Sequence, residues 1–288
     1  MRHENVPESL DGWAILHRMF RFDRRRWDAA SPNAQRAAER EAGALFAELA
    51  ADADTDLGLA QLVGHKGELM LTHYARSFDA LGEVQTRVDK SALCDYLEPM
   101  ESYVSLLELG LYEHTAKIHA ELRDRGLKPH SEDWNAAFDA MLAEAAREPR
   151  NAARLFARIP ARRYVCFYPM NKKRMAADNW YSTPYAERAK MMLEHGKIGR
   201  SFHGHVTQVI SGSIGFDDWE WGVDLYADDP LIFKKLVYAM RFDEASARFG
   251  EFGRFWTGMQ FSVAQLGVFL AGSGSPALHA ADPQPALR

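Results

Sequence analysis

Apolar and polar positions along this chain fall into an order of elements that occurs twice. In the first half, the largely apolar stretch 13–22 reads as a strand. Ser31-Pro32 then opens a helix, with the hydroxyl as N-cap and the proline at the first helical position. Alanine-rich sequence carries that helix to about residue 51. Stretches 57–63 and 68–74 read as two strands around a short turn at His65-Lys66-Gly67. A second helix is predicted over 77–88 and a closing strand over 103–109. The order is βαββαβ, a ferredoxin-like unit.

The second half follows the same order with different residues. A strand is predicted over 163–170, and Thr183-Pro184 opens a helix reaching about residue 199. Strands over 205–212 and 220–226, a helix over 230–240 and a strand over 255–263 complete the unit. Between the halves, 115–125 and 131–147 read as two connector helices, ended by Gly126 and Pro149. The fold class is α+β, with an N-terminal half and connector over 1–150 and a C-terminal half over 151–271. The Gly-, Ala-, Ser- and Pro-rich segment 272–288 reads as a flexible tail.

Composition narrows the function. An apolar fraction of 47% and a charged fraction of 26% are ordinary for a globular protein. A net charge of −5 argues against general affinity for nucleic acid. Cys94 and Cys166 make no disulfide framework and suit a reducing compartment. There is no apolar run of membrane-spanning length and no signal-peptide core at the N-terminus, so cytoplasmic residence is expected.

Charge is distributed unevenly. Residues 154–200 hold 11 Lys/Arg against 3 Asp/Glu, a local +8 in a chain of −5. Positive charge beside a tyrosine and a possible axial histidine suits a polyanionic, metal-bearing ligand such as a porphyrin with several carboxylates. His195 lies near the end of its helix, with Met191 and Met192 four and three residues earlier on the same face, a setting suited to an axial iron ligand. Tyr164, Cys166, Tyr168 and Met170 share one face of their strand. Lys172 follows just past it, able to hold a carboxylate as a point charge or to move protons. Val206, Gln208 and Ile210 share a face, and a polar amide there needs a partner. His203 and His205 have the spacing of a metal pair but no third ligand. Arg24-Arg25-Arg26 reads as a solvated turn.

Several motifs, taken together, carry a resemblance. They are Tyr168-Pro169-Met170-Asn171-Lys172-Lys173-Arg174, Asn179-Trp180-Tyr181, Met191-Met192 through His195-Gly196, Ile210-Ser211-Gly212-Ser213, Asp217-Asp218-Trp219-Glu220-Trp221-Gly222 and Met240-Arg241-Phe242-Asp243-Glu244. With Leu10-Asp11-Gly12-Trp13 near the N-terminus, they resemble the coproheme decarboxylases of the chlorite dismutase superfamily. The match is dense from about residue 154 to 258 and thinner before it.

The resemblance implies two ferredoxin-like halves forming a dimeric α+β barrel, five such chains in a ring, and an iron porphyrin bound in the C-terminal half. It implies oxidative decarboxylation of two propionates of iron coproporphyrin III (coproheme) by hydrogen peroxide, giving haem b, with a ferrochelatase-type donor as a possible partner. Coproheme is then both substrate and redox centre. His195 is implied as the iron ligand, and Tyr168 as the phenol whose radical takes a hydrogen atom from a propionate. Lys172, Arg154 and Ser246 are implied as propionate contacts, Trp180 as a neighbour of the porphyrin, and Gln208 as the distal residue. Glu244 is expected to orient the imidazole. Chlorite dismutases proper carry an arginine at the distal position, so Gln208 argues against chlorite as substrate. A haem-binding or haem-delivery protein without chemistry is the alternative from another class; it has no use for Tyr168 and Lys172.

Overall fold

The computed structural model describes residues 6–278. The N-terminal half comprises β1 (Ser9–Phe22), α1 (Arg24–Ala29), α2 (Pro32–Ala51), β2 (Thr55–Leu62), β3 (Leu69–Ala75), α3 (Phe78–Asp89) and β4 (Leu97–Gly110). Three connector helices follow: α4 (Tyr112–Asp124), α5 (Glu132–Arg147) and α6 (Pro149–Leu155). The C-terminal half comprises β5 (Tyr164–Lys172), α7 (Tyr185–Ser201), β6 (Val206–Gly212), β7 (Trp221–Ala227), α8 (Leu231–Met240), α9 (Glu244–Phe249), β8 (Gly250–Phe252), β9 (Trp256–Phe261) and α10 (Leu266–Ala271).

Local chemistry starts most helices where the sequence signals them. Ser31 Oγ accepts from Ala34 N at 3.2 Å with Pro32 in the first turn, and Ser77 and Ser131 cap α3 and α5 in the same way. Pro149 does not end the connector as expected. It opens α6, because a missing N–H costs nothing in a first helical turn. Arg24 is not a solvated turn residue either. Its guanidinium donates to the Phe269 and Leu270 carbonyls at the end of α10, which closes on Gly272 in the left-handed conformation (φ 61°).

The segment expected as a flexible tail is held over its first residues. Arg163 donates to Pro276 O and Ser275 Oγ, and Ser262 N donates to Ala277 O. The remainder of that segment, 279–288, lies outside the described residues.

The strands form one sheet in the order β7-β6-β4-β1-β3-β2-β9-β5-β8, and β7 also pairs with β5. That last pairing closes a ring of eight strands, with β8 as a short branch. Each half contributes a ferredoxin-like set, β4-β1-β3-β2 and β6-β7-β5-β9. The halves join where β4 meets β6 and where β2 meets β9.

Period-two alternation gives every strand an inner and an outer face. Met19, Tyr103, Val165, Phe167, Tyr226 and Trp256 pack together inside, and Trp13, Ile15, Tyr74 and Leu107 form a second inner cluster. Outside the N-terminal half, α2, α3 and α10 cover a dense core that includes Phe20, Phe22, Trp27, Phe46, Phe261 and Phe269. Outside the C-terminal half, α8 covers Cys166, Tyr168, Val223 and Leu225 with Phe233 and Leu236. Gly12 is required at the barrel rim, since a Cβ there would stand 2.1 Å from Leu155 O; Trp13 Nε1 donates to Ala157 O beside it.

The connector helices have a core of their own in Ile118, Leu122, Trp134 and Phe138. They also brace α7, since Tyr185 Oη donates to Tyr112 O at 2.6 Å. Among the described residues no helix is long and apolar enough to cross a membrane.

A buried hydrogen-bonded pair sits inside the barrel. His17 on β1 donates from Nε2 to both carboxylate oxygens of Asp224 on β7, at 3.0 and 3.1 Å, and both residues are fully buried. His17 also stacks on Phe167 with ring centroids 4.1 Å apart. The pair spans the two halves, so removing one partner strands the other in apolar surroundings. Asp224→Ala is expected to lower the unfolding free energy by about 1–3 kcal/mol, the cost of a buried donor left without its acceptor. Denaturant titration of the variant measures this, and a loss under about 1 kcal/mol would show that the pair carries no such weight.

Candidate active site

The outer face of the C-terminal sheet carries two rows across three strands. Ile210, Val223 and Tyr168 are register partners, and so are Gln208, Leu225 and Cys166. The chain turns between α7 and β6 through Gly204 (φ 85°), which brings the end of α7 against Gln208. The crossing is close: Gln208 Nε2 donates to Gly199 O at 3.4 Å. A Cβ on Gly199 would stand 3.3 Å from Nε2 and 3.4 Å from the Met240 methyl. His195 is one helical turn before Gly199 on α7.

His195 is held from behind. Its Nδ1 donates to Asp243 Oδ2 at 3.1 Å, and Ser246 Oγ lies 3.4 Å from the same nitrogen. Asp243 Oδ1 meanwhile accepts from Ser246 N and caps α9. The orienting carboxylate is therefore Asp243 and not Glu244, which turns to Arg248. An N-cap carboxylate points back over the helix start, where the imidazole is; the next residue points outward. Burial, opposed by Asp243, lowers the His195 pKa, and the charge of Lys172 lowers it further. The imidazole is thus neutral near pH 7. Among the described residues its Nε2 makes no hydrogen bond, which is the donor set of an axial ligand with its back nitrogen anchored.

Lys172 ends β5 at 7% exposure. Its Nζ donates to Ala245 O at 3.0 Å and stands 4.7 Å from the Trp180 ring centroid. Burial pushes its pKa down to about 8, against the pull of Asp243 and Glu220. Trp180 itself is core, packed with Met191, Ala245 and Phe249. Tyr168 stacks on Phe255 at 4.4 Å and packs near Phe252, and burial raises its phenol pKa well above the ordinary range. Such a phenol stays protonated at any working pH.

His195, Ser246, Lys172 and Trp180 therefore form one group around the start of α9, with Tyr168 and Gln208 on the adjoining sheet face. Among the described residues Arg154 does not join them by any hydrogen bond or ion pair. It is exposed on α6, which packs against β1 and β4 through Leu155. The basic window is likewise dispersed, because most of its arginines hold the fold. Arg158 binds the Asp52 and Thr55 carbonyls, Arg162 pairs with Asp228, Arg163 ties β9 to the following segment, and Arg174 faces Glu220.

Two residues near the site were not singled out from sequence. Asp243 is one. Arg241 is the other: its guanidinium lies 3.8 Å from the Phe252 ring centroid, its charge acts on Tyr168, and among the described residues it has no ion pair. Both lie within the Met240–Glu244 motif, and an exposed cation next to a buried phenol is the pattern that marks Arg241.

Comparison with known proteins adds a name to this geometry. Residues 35–261 match the family model described as Chlorite dismutase. A coproheme decarboxylase of Thermus thermophilus is 41% identical over 272 residues, covering 92% of this chain and 98% of that one. The same figures hold for its counterpart in a second strain. A solved structure described as a novel heme-binding protein from Thermus thermophilus matches with a TM-score of 0.78 at 40% identity, covering 94% of this chain and all of that one. A mutant chlorite dismutase from Candidatus Nitrospira defluvii matches with a TM-score of 0.67 at 16% identity, over 91% of this chain and 97% of that one, which bears on the fold alone.

The lowered pKa of Lys172 has a stability consequence. Below about pH 8 the folded protein carries a buried ammonium at a cost of at most about 3 kcal/mol relative to water. Between about 8 and the ordinary value of 10.5 the unfolded chain holds a proton that the folded chain has released, so the contribution of this residue to stability rises with pH. Lys172→Met is expected to be favoured over the parent near pH 7, and that advantage should shrink as pH rises past 8. Paired denaturation curves from pH 7 to about 10 measure it, and a difference that stays flat would show the ammonium is not penalised.

Proposed function

Because the chain belongs to the chlorite dismutase family, on its coproheme decarboxylase branch, we propose that it converts iron coproporphyrin III to haem b. Two propionates are oxidatively decarboxylated to vinyls with hydrogen peroxide as oxidant. The observation that carries this reading is the pairing of an anchored, neutral His195, its Nε2 free of hydrogen bonds, with a buried protonated Tyr168 on the adjoining face. An iron-porphyrin carrier has use for the first and none for the second.

Each chain residue then has a task. His195 holds the iron from Nε2, and Asp243, accepting from Nδ1, fixes the ring and raises its donor strength. When bound, the substrate supplies both the metal that peroxide oxidises and the carboxylates that are lost. Tyr168 gives up an electron and a proton, and the resulting phenoxyl takes a hydrogen atom from the propionate carbon next to the ring. Loss of a second electron and of CO₂ leaves the vinyl. Stacking on Phe255 keeps the phenol fixed and dry. Arg241 and Lys172 are the cations that hold propionates nearest the phenol, with Arg154 at the rim and Ser246 beside the imidazole. Gln208, neutral at the crossing of α7 and β6, offers no fixed charge to retain an anionic oxidant such as chlorite. A ring of five chains and a ferrochelatase-type donor belong to the same reading.

Titration of the protein loaded with iron coproporphyrin III by stepwise peroxide, followed by mass spectrometry, is expected to show loss of two carboxyl groups through a three-propionate intermediate. Tyr168→Phe should keep porphyrin affinity within about twofold while losing at least about 100-fold in decarboxylation rate, the scale of a lost reacting group. Tight binding with only bleaching in the parent protein would favour the carrier.

A further inference from the structure

The proposed reaction changes how its own ligand dissolves. Iron coproporphyrin III carries four carboxylates and haem b carries two, so each turnover makes a polyanion into a largely apolar macrocycle that water holds poorly. The product is best received by an apolar acceptor brought close to the site. The outer face of α8, which ends beside the site, has the composition of a surface that meets one.

Helix α8 has two unlike sides. Phe233 and Leu236 are buried in the core of the C-terminal half, and Val237 and Met240 pack beside them. On the opposite side Leu231, Lys234, Lys235 and Tyr238 recur at three- and four-residue spacing. Backbone hydrogen bonds from Arg241 N to Val237 O and from Phe242 N to Ala239 O carry the stripe on to Arg241 and Phe242. All six are exposed. Tyr238 is 66% and Phe242 72% exposed, and their rings pack edge to face with centroids 5.1 Å apart, so the apolar surface is contiguous. α8 contains no acidic residue, and among the described residues Lys234, Lys235 and Arg241 have no ion pair. The acids that bracket the stripe in sequence are engaged elsewhere: Asp228 pairs with Arg162, Asp229 accepts from the Leu231 amide, and Glu244 turns to Arg248. The stripe reaches the site through two ring contacts. Arg241 stands 3.8 Å from the Phe252 ring centroid, and Phe252 lies 5.9 Å from the Tyr168 ring.

We propose that this stripe docks the chain on an anionic lipid bilayer, close to the site, so that haem b passes from the protein into the membrane. The inference rests on the decarboxylase reading above and adds to it a partner and an exit for the product. Unpaired lysines around two exposed aromatic rings match the boundary between headgroups and acyl chains, where the rings enter and the basic side chains meet phosphate. The alternatives fit less well. Interfaces between proteins are depleted in lysine, and a second copy of this chain would bring the same positive charge against its own. Three cations at such a surface favour binding on the order of a hundredfold, about fivefold each. That strength suits reversible docking, from which the chain returns to collect the next porphyrin.

The test sediments the full chain with vesicles of phosphatidylglycerol and phosphatidylcholine, and with vesicles of phosphatidylcholine alone, at low and high salt. The parent is expected to partition onto the anionic vesicles, and to leave them as salt is raised. Replacing both lysines, Lys234→Gln with Lys235→Gln, should weaken that binding about 25-fold. Replacing both rings, Tyr238→Ser with Phe242→Ser, should weaken it at least about tenfold on the same vesicles. The lysine variant should decarboxylate iron coproporphyrin III in lipid-free solution at the parent rate, while less of its haem b sediments with the vesicles. Absence of parent binding, equal binding to both vesicle types, or variants that bind like the parent would each overturn the proposal. So would variants that change the oligomeric state in lipid-free solution, a result that assigns the stripe to contact between copies. A parent that binds anionic vesicles through these residues but never decarboxylates the porphyrin would leave the docking surface standing and overturn the decarboxylase reading instead.

Discussion

The register of β7 is the constraint on which both faces of the barrel depend. This strand pairs with β5 on one side and β6 on the other. Asp224 therefore points inward to His17 while Val223 and Leu225 point outward, aligned with Tyr168 and Cys166 on β5 and with Ile210 and Gln208 on β6. A slip by one residue would exchange the two sets, placing a carboxylate under α8 and leaving His17 unpaired. The buried pair thus selects against misregister whatever its net contribution to stability, and the same alternation that closes the barrel presents the outer residues for chemistry.

Electrostatics at the site are arranged by burial more than by the abundance of charge. The window of +8 points, as sequence, to a polyanionic ligand. In the folded chain its arginines mainly bind carbonyls and carboxylates of the scaffold. What remains near Tyr168 and His195 is a small number of groups whose protonation is set by their surroundings: a neutral imidazole, a phenol kept protonated, and a lysine brought down toward neutrality. Few groups with adjusted acidity serve proton-coupled chemistry better than many at ordinary values.

The repeated βαββαβ order was legible because period-two strands and capped helices leave strong local marks. The helix opened by Ser31-Pro32 spans Pro32–Ala51, as its cap and alanine-rich body indicate. The short helices α1, α6, α9 and α10 were not legible: six or seven residues give no periodicity, and their starts depend on caps and partners remote in sequence. The same limit applied to the site. His195, Tyr168 and Lys172 stand out by residue type in pattern, and the resemblance supplied their roles. Asp243 as the orienting carboxylate depends on how α9 begins, and a neighbouring glutamate looks equally suitable on paper. The dispersal of the basic window could not be read at all, since carbonyl acceptors have no signature in sequence.

The C-terminal helix α10 belongs structurally to the other end of the chain. Leu266, Phe269 and Leu270 complete the core formed by Phe22, Trp27 and Phe46, and Arg24 reaches over to close the helix. During synthesis the first hundred residues leave the ribosome with that core still open, and the piece that seals it arrives only once α10 has been made. Folding of the N-terminal half is thereby coupled to synthesis of α10, so a ribosome that stops before it releases a chain with an exposed aromatic surface, the kind of surface that quality control recognises.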